Sequence, residues 1–187
     1  MDQQHDDPPR RGATAAMRSA ALGIAVLLAS SGTARAALSE TGRALLAKEA
    51  QDSSYLVALG ELAERKAARP GVKAYAQRIL ADQEPATAAL MEIFRRNDAV
   101  MPPTMREDQE AGFERLSKLD GAAFDEAYLR EVQGVSESDE EDFTEAARRG
   151  VQDPDVQAYM RRFAAVSAEH EKLARQLSAS SGPGEPP

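Results

Sequence analysis

From Tyr55 to Leu177 the apolar residues recur every three or four positions, and no stretch carries the alternation of a strand. A chain with this period must fold as helices whose apolar stripes bury one another. After a short segment over Leu38 to Ala50, Asp52 reads as the cap of a helix reaching Ala68, with Tyr55, Leu56, Leu59, Leu62 and Ala63 on its stripe. Pro70 suits the first turn of a second helix to about Asn97, striped by Val72, Ala76, Ile79, Gln83, Ala86, Leu90 and Phe94. Pro102-Pro103 stops it, and a short helix from about Asp108 to Lys118 leads to the turn Leu119-Asp120-Gly121. A long helix follows with Phe124, Tyr128, Val132, Ser136, Phe143 and Ala147 in register, closed by Arg148-Arg149-Gly150. Asp153-Pro154, a cap and then Pro at the first helical position, opens the last helix, striped by Val156, Met160, Phe163, Ser167, His170, Ala174 and Leu177.

Four main amphipathic helices with one long connection, Asp98 to Gly121, predict an all-α four-helix bundle carrying a short extra helix in that connection. The chain has no Cys, which excludes disulfides, thiolate metal sites and Cys nucleophiles. Acidic residues outnumber basic ones, 31 to 23, so a broad phosphate-binding face is not expected and nucleic acid is not a predicted partner.

The ends read differently from the middle. Arg18, the apolar run Ala20 to Ala29 and the small-residue motif Ala34-Arg35-Ala36 follow the order of a secretory signal, predicting residues 1–36 as a cleaved leader and Ala37 as the mature start. A start at Met17 gives such a leader ordinary length. The apolar run is about half of the roughly 20 residues that cross a bilayer, so no transmembrane span is expected after cleavage. Arg10-Arg11 lacks the following apolar residues of the twin-arginine route, leaving the choice of export route open. The expected location is the periplasm or cell envelope. Residues 37–177 form one domain, and the Ser, Gly and Pro-rich tail over 178–187 has nothing to bury.

Three polar residues interrupt the stripes: Gln83, Ser136 and His170 each stand near mid-helix where an apolar residue is due. Mid-helix positions share a layer whichever way helices run, and an unpartnered buried polar group costs about 1–3 kcal/mol, so these three are expected to hydrogen-bond one another inside the bundle.

Several segments carry a resemblance. Gly60 to Ala67 (GELAERKA), Val72-Lys73-Ala74-Tyr75-Ala76, Asp82-Gln83, Leu116 to Tyr128 (LSKLDGAAFDEAY) and His170 to Leu177 (HEKLARQL) are similar to the bacterial domain-of-unknown-function family four-one-four-two. Its members are exported, ferritin-like helical bundles often labelled putative outer membrane proteins. The resemblance spans about Ala50 to Leu177, is most specific at Phe124-Asp125-x-x-Tyr128, and implies a ferritin-like bundle and an exported address but no reaction. The family pattern places Glu at the position of Leu56 and His at those of Gln83, Ser136 and His170. Three of these four are changed here, so the resemblance implies a vestigial polar layer in place of any metal site, with Asp82, Asp139 and Glu140 as carboxylates near it.

The acidic run Glu137 to Asp142 lacks the glycine turn and spacing of a calcium loop and reads as a solvated helix face. Met101 and Met105 are too few for a soft Cu(I) site and suit core edges. His170 has no sequence-identifiable nucleophile partner, and neither a phosphate loop nor a nucleophile elbow is present. The sequence therefore predicts a non-catalytic envelope protein without cofactor or metal, acting through its surface on an unidentified protein partner, with an altered ferritin-like metal or small-cofactor binder as the alternative.

Overall fold

The computed structural model describes residues 37–102 and 105–180, all of them helix or connection. Five helices follow in order: α1 Glu40–Lys66, α2 Pro70–Arg96, α3 Glu107–Ser117, α4 Gly121–Arg148 and α5 Pro154–Ala179. The leader expected over residues 1–36 and the tail beyond 180 lie outside the described residues. Among the described residues no helix is long and apolar enough to cross a membrane.

The four long helices form a ring in which α1 packs on α2 and α4, and α5 on α2 and α4. Each neighbour is antiparallel. Lys48 near the start of α1 meets Asp142 near the end of α4, and Tyr75 near the start of α2 meets His170 late in α5. α2 and α4 therefore run the same way across the diagonal, which is why their connection must span the bundle's length. α3 lies within that connection and packs on α1 and α4.

Where the sequence sets a break at Asp52, the structure has one 27-residue helix. The cap is Ser39, whose Oγ accepts from the Gly42 N–H at 3.0 Å. Asp52 keeps helical geometry because its carboxylate finds partners outside its own backbone, and tertiary contacts override its capping preference. Asp153 is the N-cap of α5, yet its carboxylate takes the Ser39 N–H at 2.7 Å and the Ser39 hydroxyl at 2.6 Å, tying the start of α1 to the start of α5. α5 runs two residues past the expected tail boundary, to Ala179.

The expected turn chemistry appears at Gly150, which takes φ +67 while Val151 N–H donates to Ala146 C=O at 3.0 Å and Gly150 N–H to Ala147 C=O at 3.1 Å. α2 ends in the same motif with Asp98 in the left-handed position, φ 48, and Ala99 N–H donating to Phe94 C=O at 3.0 Å.

The apolar stripes of α1 and α2 are buried as read. On α4 the buried residue is Ala146 and not Ala147, and on α5 Tyr159 fills the place given to Met160. The core divides in two. One cluster joins the late part of α1 with Val72, Tyr75, Phe124, Tyr128 and Val132, and the other joins Leu46, Leu90, Phe94, Phe143, Val156 and Phe163. Met105 covers the edge of the first and Met101 the edge of the second.

Candidate functional site

Between the two apolar clusters lies a polar stratum drawn from all four long helices. Its buried members are Glu49, Asp52 and Ser53 of α1, Gln83 of α2, Ser136 and Asp139 of α4, and His170 of α5. The three residues singled out by the sequence are thus all inside, but no hydrogen bond joins them. Ser136 Oγ is buried without a partner. His170 Nε2 lies 3.0 Å from Asp82 Oδ2, and Asp82 is also held by Arg78 one turn earlier. The Tyr75 ring stands edge-on to the imidazole, and its hydroxyl donates to the His170 C=O at 2.7 Å. Gln83, one residue after Asp82, points instead into a small cavity of about 20 Å³ lined also by Glu49, Ser53, Asp139, Tyr159 and Ser167. A step of one residue turns a helical side chain by 100°, so Asp82 faces α5 while Gln83 faces the bundle axis.

Burial pushes the His170 imidazole below its ordinary range, outweighing the pull of Asp82, which leaves the ring neutral near pH 7 with Nε2–H donating to that carboxylate. Burial also raises Asp82, but hydrogen bonds from Arg78 and His170 more than reverse this and hold it below the usual value.

The carboxylates are the larger feature. Glu49 and Asp52 lie three residues apart on α1 and so share a face, and Asp139 comes from α4 opposite. One oxygen from each of these three lies within 4.8 Å of the others. Asp52 is held on both sides: Oδ1 accepts from Arg106 Nη1 at 2.8 Å and Gln109 Nε2 at 2.6 Å, both from the α3 region, and Oδ2 from Lys48 Nζ at 2.8 Å. The Lys48 ammonium also lies 2.7 Å from Asp142 and 3.9 Å from Asp139. By contrast Glu49 Oε1 and Asp139 Oδ1 are buried without hydrogen-bond partners. Burial raises both carboxyls well above their ordinary range, and mutual repulsion adds to it. Burial lowers the Lys48 ammonium, while Asp142 and Asp52 reverse the effect and leave it above its usual value.

Asp139, expected near the polar layer, does turn into the core, so the run Glu137 to Asp142 is not a solvated face throughout; Glu140, expected near the layer as well, is exposed. Position 139 is three residues after Ser136 and four before Phe143, so the α4 stripe itself requires a buried side chain there. Glu49 and Asp52 were hidden by the break placed at Asp52; continuing the stripe back from Leu56 through Ser53 to Glu49 and Leu46 finds them.

The positions implied by the resemblance do not fit a metal. Leu56 offers no donor, Ser136 and Gln83 offer weak ones, and His170 Nε2 is committed to Asp82. The Phe124-Asp125-x-x-Tyr128 element acquires a structural reason. Asp125, 1% exposed, accepts from the backbone N–H groups of Ala68 at 3.0 Å and Arg69 at 2.9 Å, fixing the turn between α1 and α2, while Phe124 stacks on Tyr128 beneath it.

No curated protein and no solved structure matches the chain. A family model matches residues 27–177, beginning ten residues inside the expected leader and running to the end of the last stripe. With that match over most of its length, the chain belongs to the family described as domain of unknown function DUF4142.

Proposed function

We propose that the chain is exported to the periplasm or cell envelope and acts there as a non-catalytic bundle through its surface. The order of charged, apolar and small residues before Ala37 supports the address. The observation that carries the non-catalytic reading is the enclosure of His170: 1% exposed, neutral, bonded to Asp82 and set edge-on to Tyr75, it serves packing. One face of α4 and α5 gathers Glu137, Glu140, Glu141, Glu145 and Glu171; Arg148, Arg149 and Arg175 pair with three of them, and Glu140 and Glu141 keep an acidic excess that suits a basic protein partner. Fractionation with intact-mass measurement tests the address: the account expects a periplasmic chain beginning at Ala37, and a full-length cytoplasmic species would contradict it. In a deletion strain, His170→Gln, which keeps an N–H toward Asp82, should complement like wild type; failure of a folded variant would point to chemistry at the imidazole.

A second reading, a metal binder whose site differs from a ferritin-like one, is favoured by the three buried carboxylates and the two oxygens among them that have no hydrogen-bond partner.

A further inference from the structure

We infer that Glu49, Asp52 and Asp139 form a site for one hard divalent cation, Ca²⁺ or Mn²⁺ in character, set between α1 and α4 and gated by Lys48. The inference rests on the second reading above and gives it a place and a ligand chemistry. The three donor oxygens lie within 4.8 Å of one another, the separation of two ligands on opposite sides of an ion with bonds of about 2.4 Å. All three are carboxylate oxygens, and no imidazole or thiol joins them, a donor set that suits hard cations and not zinc or copper. Two independent observations turn the acidic cluster into a site. Glu49 Oε1 has no hydrogen-bond partner and Asp139 Oδ1 has only the Lys48 ammonium at 3.9 Å, beyond hydrogen-bond reach, on residues that are each 4% exposed, and both line the same cavity of about 20 Å³, room for one ion or water.

The surrounding groups are arranged as supports for such ligands. Arg106 and Gln109 hold Asp52 Oδ1, leaving Oδ2 as the oxygen for the cation, and outer partners of this kind orient metal ligands. α3 thereby gains a role: it is the element that fixes one ligand in place. Lys48 occupies Oδ2 in this structure and also reaches Asp142, and both of these side chains are about one-third exposed. Its ammonium is the resident counter-ion of the cluster. An entering divalent cation takes its place beside Asp52 and Asp139, and Lys48 keeps Asp142. With all groups ionised, the four carboxylates of Glu49, Asp52, Asp139 and Asp142 against the two cations Lys48 and Arg106 leave two negative charges, which one divalent cation neutralises.

The test uses untagged mature protein from the periplasm, stripped with chelator and titrated calorimetrically with Ca²⁺, Mn²⁺, Mg²⁺ or Zn²⁺ alone, with the melting temperature recorded in parallel. The account expects one equivalent of Ca²⁺ or Mn²⁺ to bind and raise the melting temperature, and the stronger of the two identifies the ion. Asp139→Asn and Glu49→Gln should each weaken that binding at least tenfold while remaining folded, since each replaces a buried acid by a neutral isostere. Lys48→Met should strengthen it about tenfold, because the competing charge is gone; a purely structural ion-pair cluster predicts no gain. Absence of any cation binding would overturn both the site and the second reading. Stoichiometric binding unchanged in Asp139→Asn and Glu49→Gln would overturn the site alone, and so would Zn²⁺ binding lost on His170→Gln.

Discussion

Asp125→Ala removes the anchor that holds the first interhelical turn. In the native fold its two oxygens take the N–H groups of Ala68 and Arg69, and Oδ2 also lies 3.3 Å from Arg69 Nε. Removal leaves two backbone donors without partners at the end of α1, each costing about 1–3 kcal/mol, and breaks an ion pair whose acidic side is buried. The expected loss is about 3–5 kcal/mol, a large part of the roughly 5–15 kcal/mol that stabilises a domain. In urea, with a slope near 2 kcal/mol/M, the midpoint should fall by about 2 M. Asp125→Asn should cost nearly as much, because both oxygens are acceptors and the amide would set an N–H against an N–H. Arg69→Met should cost only about 1 kcal/mol, since the guanidinium is partly exposed and the backbone N–H groups keep their acceptors. Circular dichroism through the transition measures all three, and a loss below about 1 kcal/mol for Asp125→Ala would refute the reasoning.

Three further outcomes follow from local geometry. Asp98→Gly should stabilise the protein by about 0.5–1 kcal/mol in the same urea assay, because the position holds φ 48 at the end of α2, where glycine is unstrained. Gly112→Ala should destabilise it by about 1–3 kcal/mol, because a methyl group there would strike the Tyr55 hydroxyl and Glu131, which are themselves hydrogen-bonded at 2.7 Å. His170 is held below its unfolded value of about 6.5, so the unfolded chain binds the extra proton and stability should fall as pH drops below about 6.5, by up to about 1.4 kcal/mol per pH unit. The difference between wild type and His170→Gln isolates this slope from Glu49 and Asp139, whose raised values act in the opposite sense.

The helices of this bundle were legible because burial repeats with the helical period, and the long connection showed in the gap between Asn97 and Gly121. The polar stratum was legible in part. Gln83, Ser136 and His170 stood out as exceptions within apolar stripes, and each is buried. Their partners were not legible, because a rotation of 100° between Asp82 and Gln83 decides which neighbour each meets, and no pattern along one helix records the facing residues of the next. Glu49 and Asp52 were missed for a different reason. Asp52 has the chemistry of a cap, and its carboxylate is instead taken up by Lys48 one turn earlier and by Arg106 and Gln109 from more than fifty residues away. Asp139 was expected beside the polar layer, but so was Glu140, which is exposed, because a run of acids does not by itself show which member turns inward.

On the second reading, any cation held in this core is bound by the carboxylates of α1 and α4 and not by the histidine of α5. Anomalous diffraction from crystals of residues 37–187 grown with Mn²⁺ tests it most directly. The account predicts one strong peak within about 2.2 Å of oxygens from Glu49, Asp52 and Asp139, with Lys48 turned toward Asp142. A peak on His170, or none among the three carboxylates at saturating Mn²⁺, would contradict it.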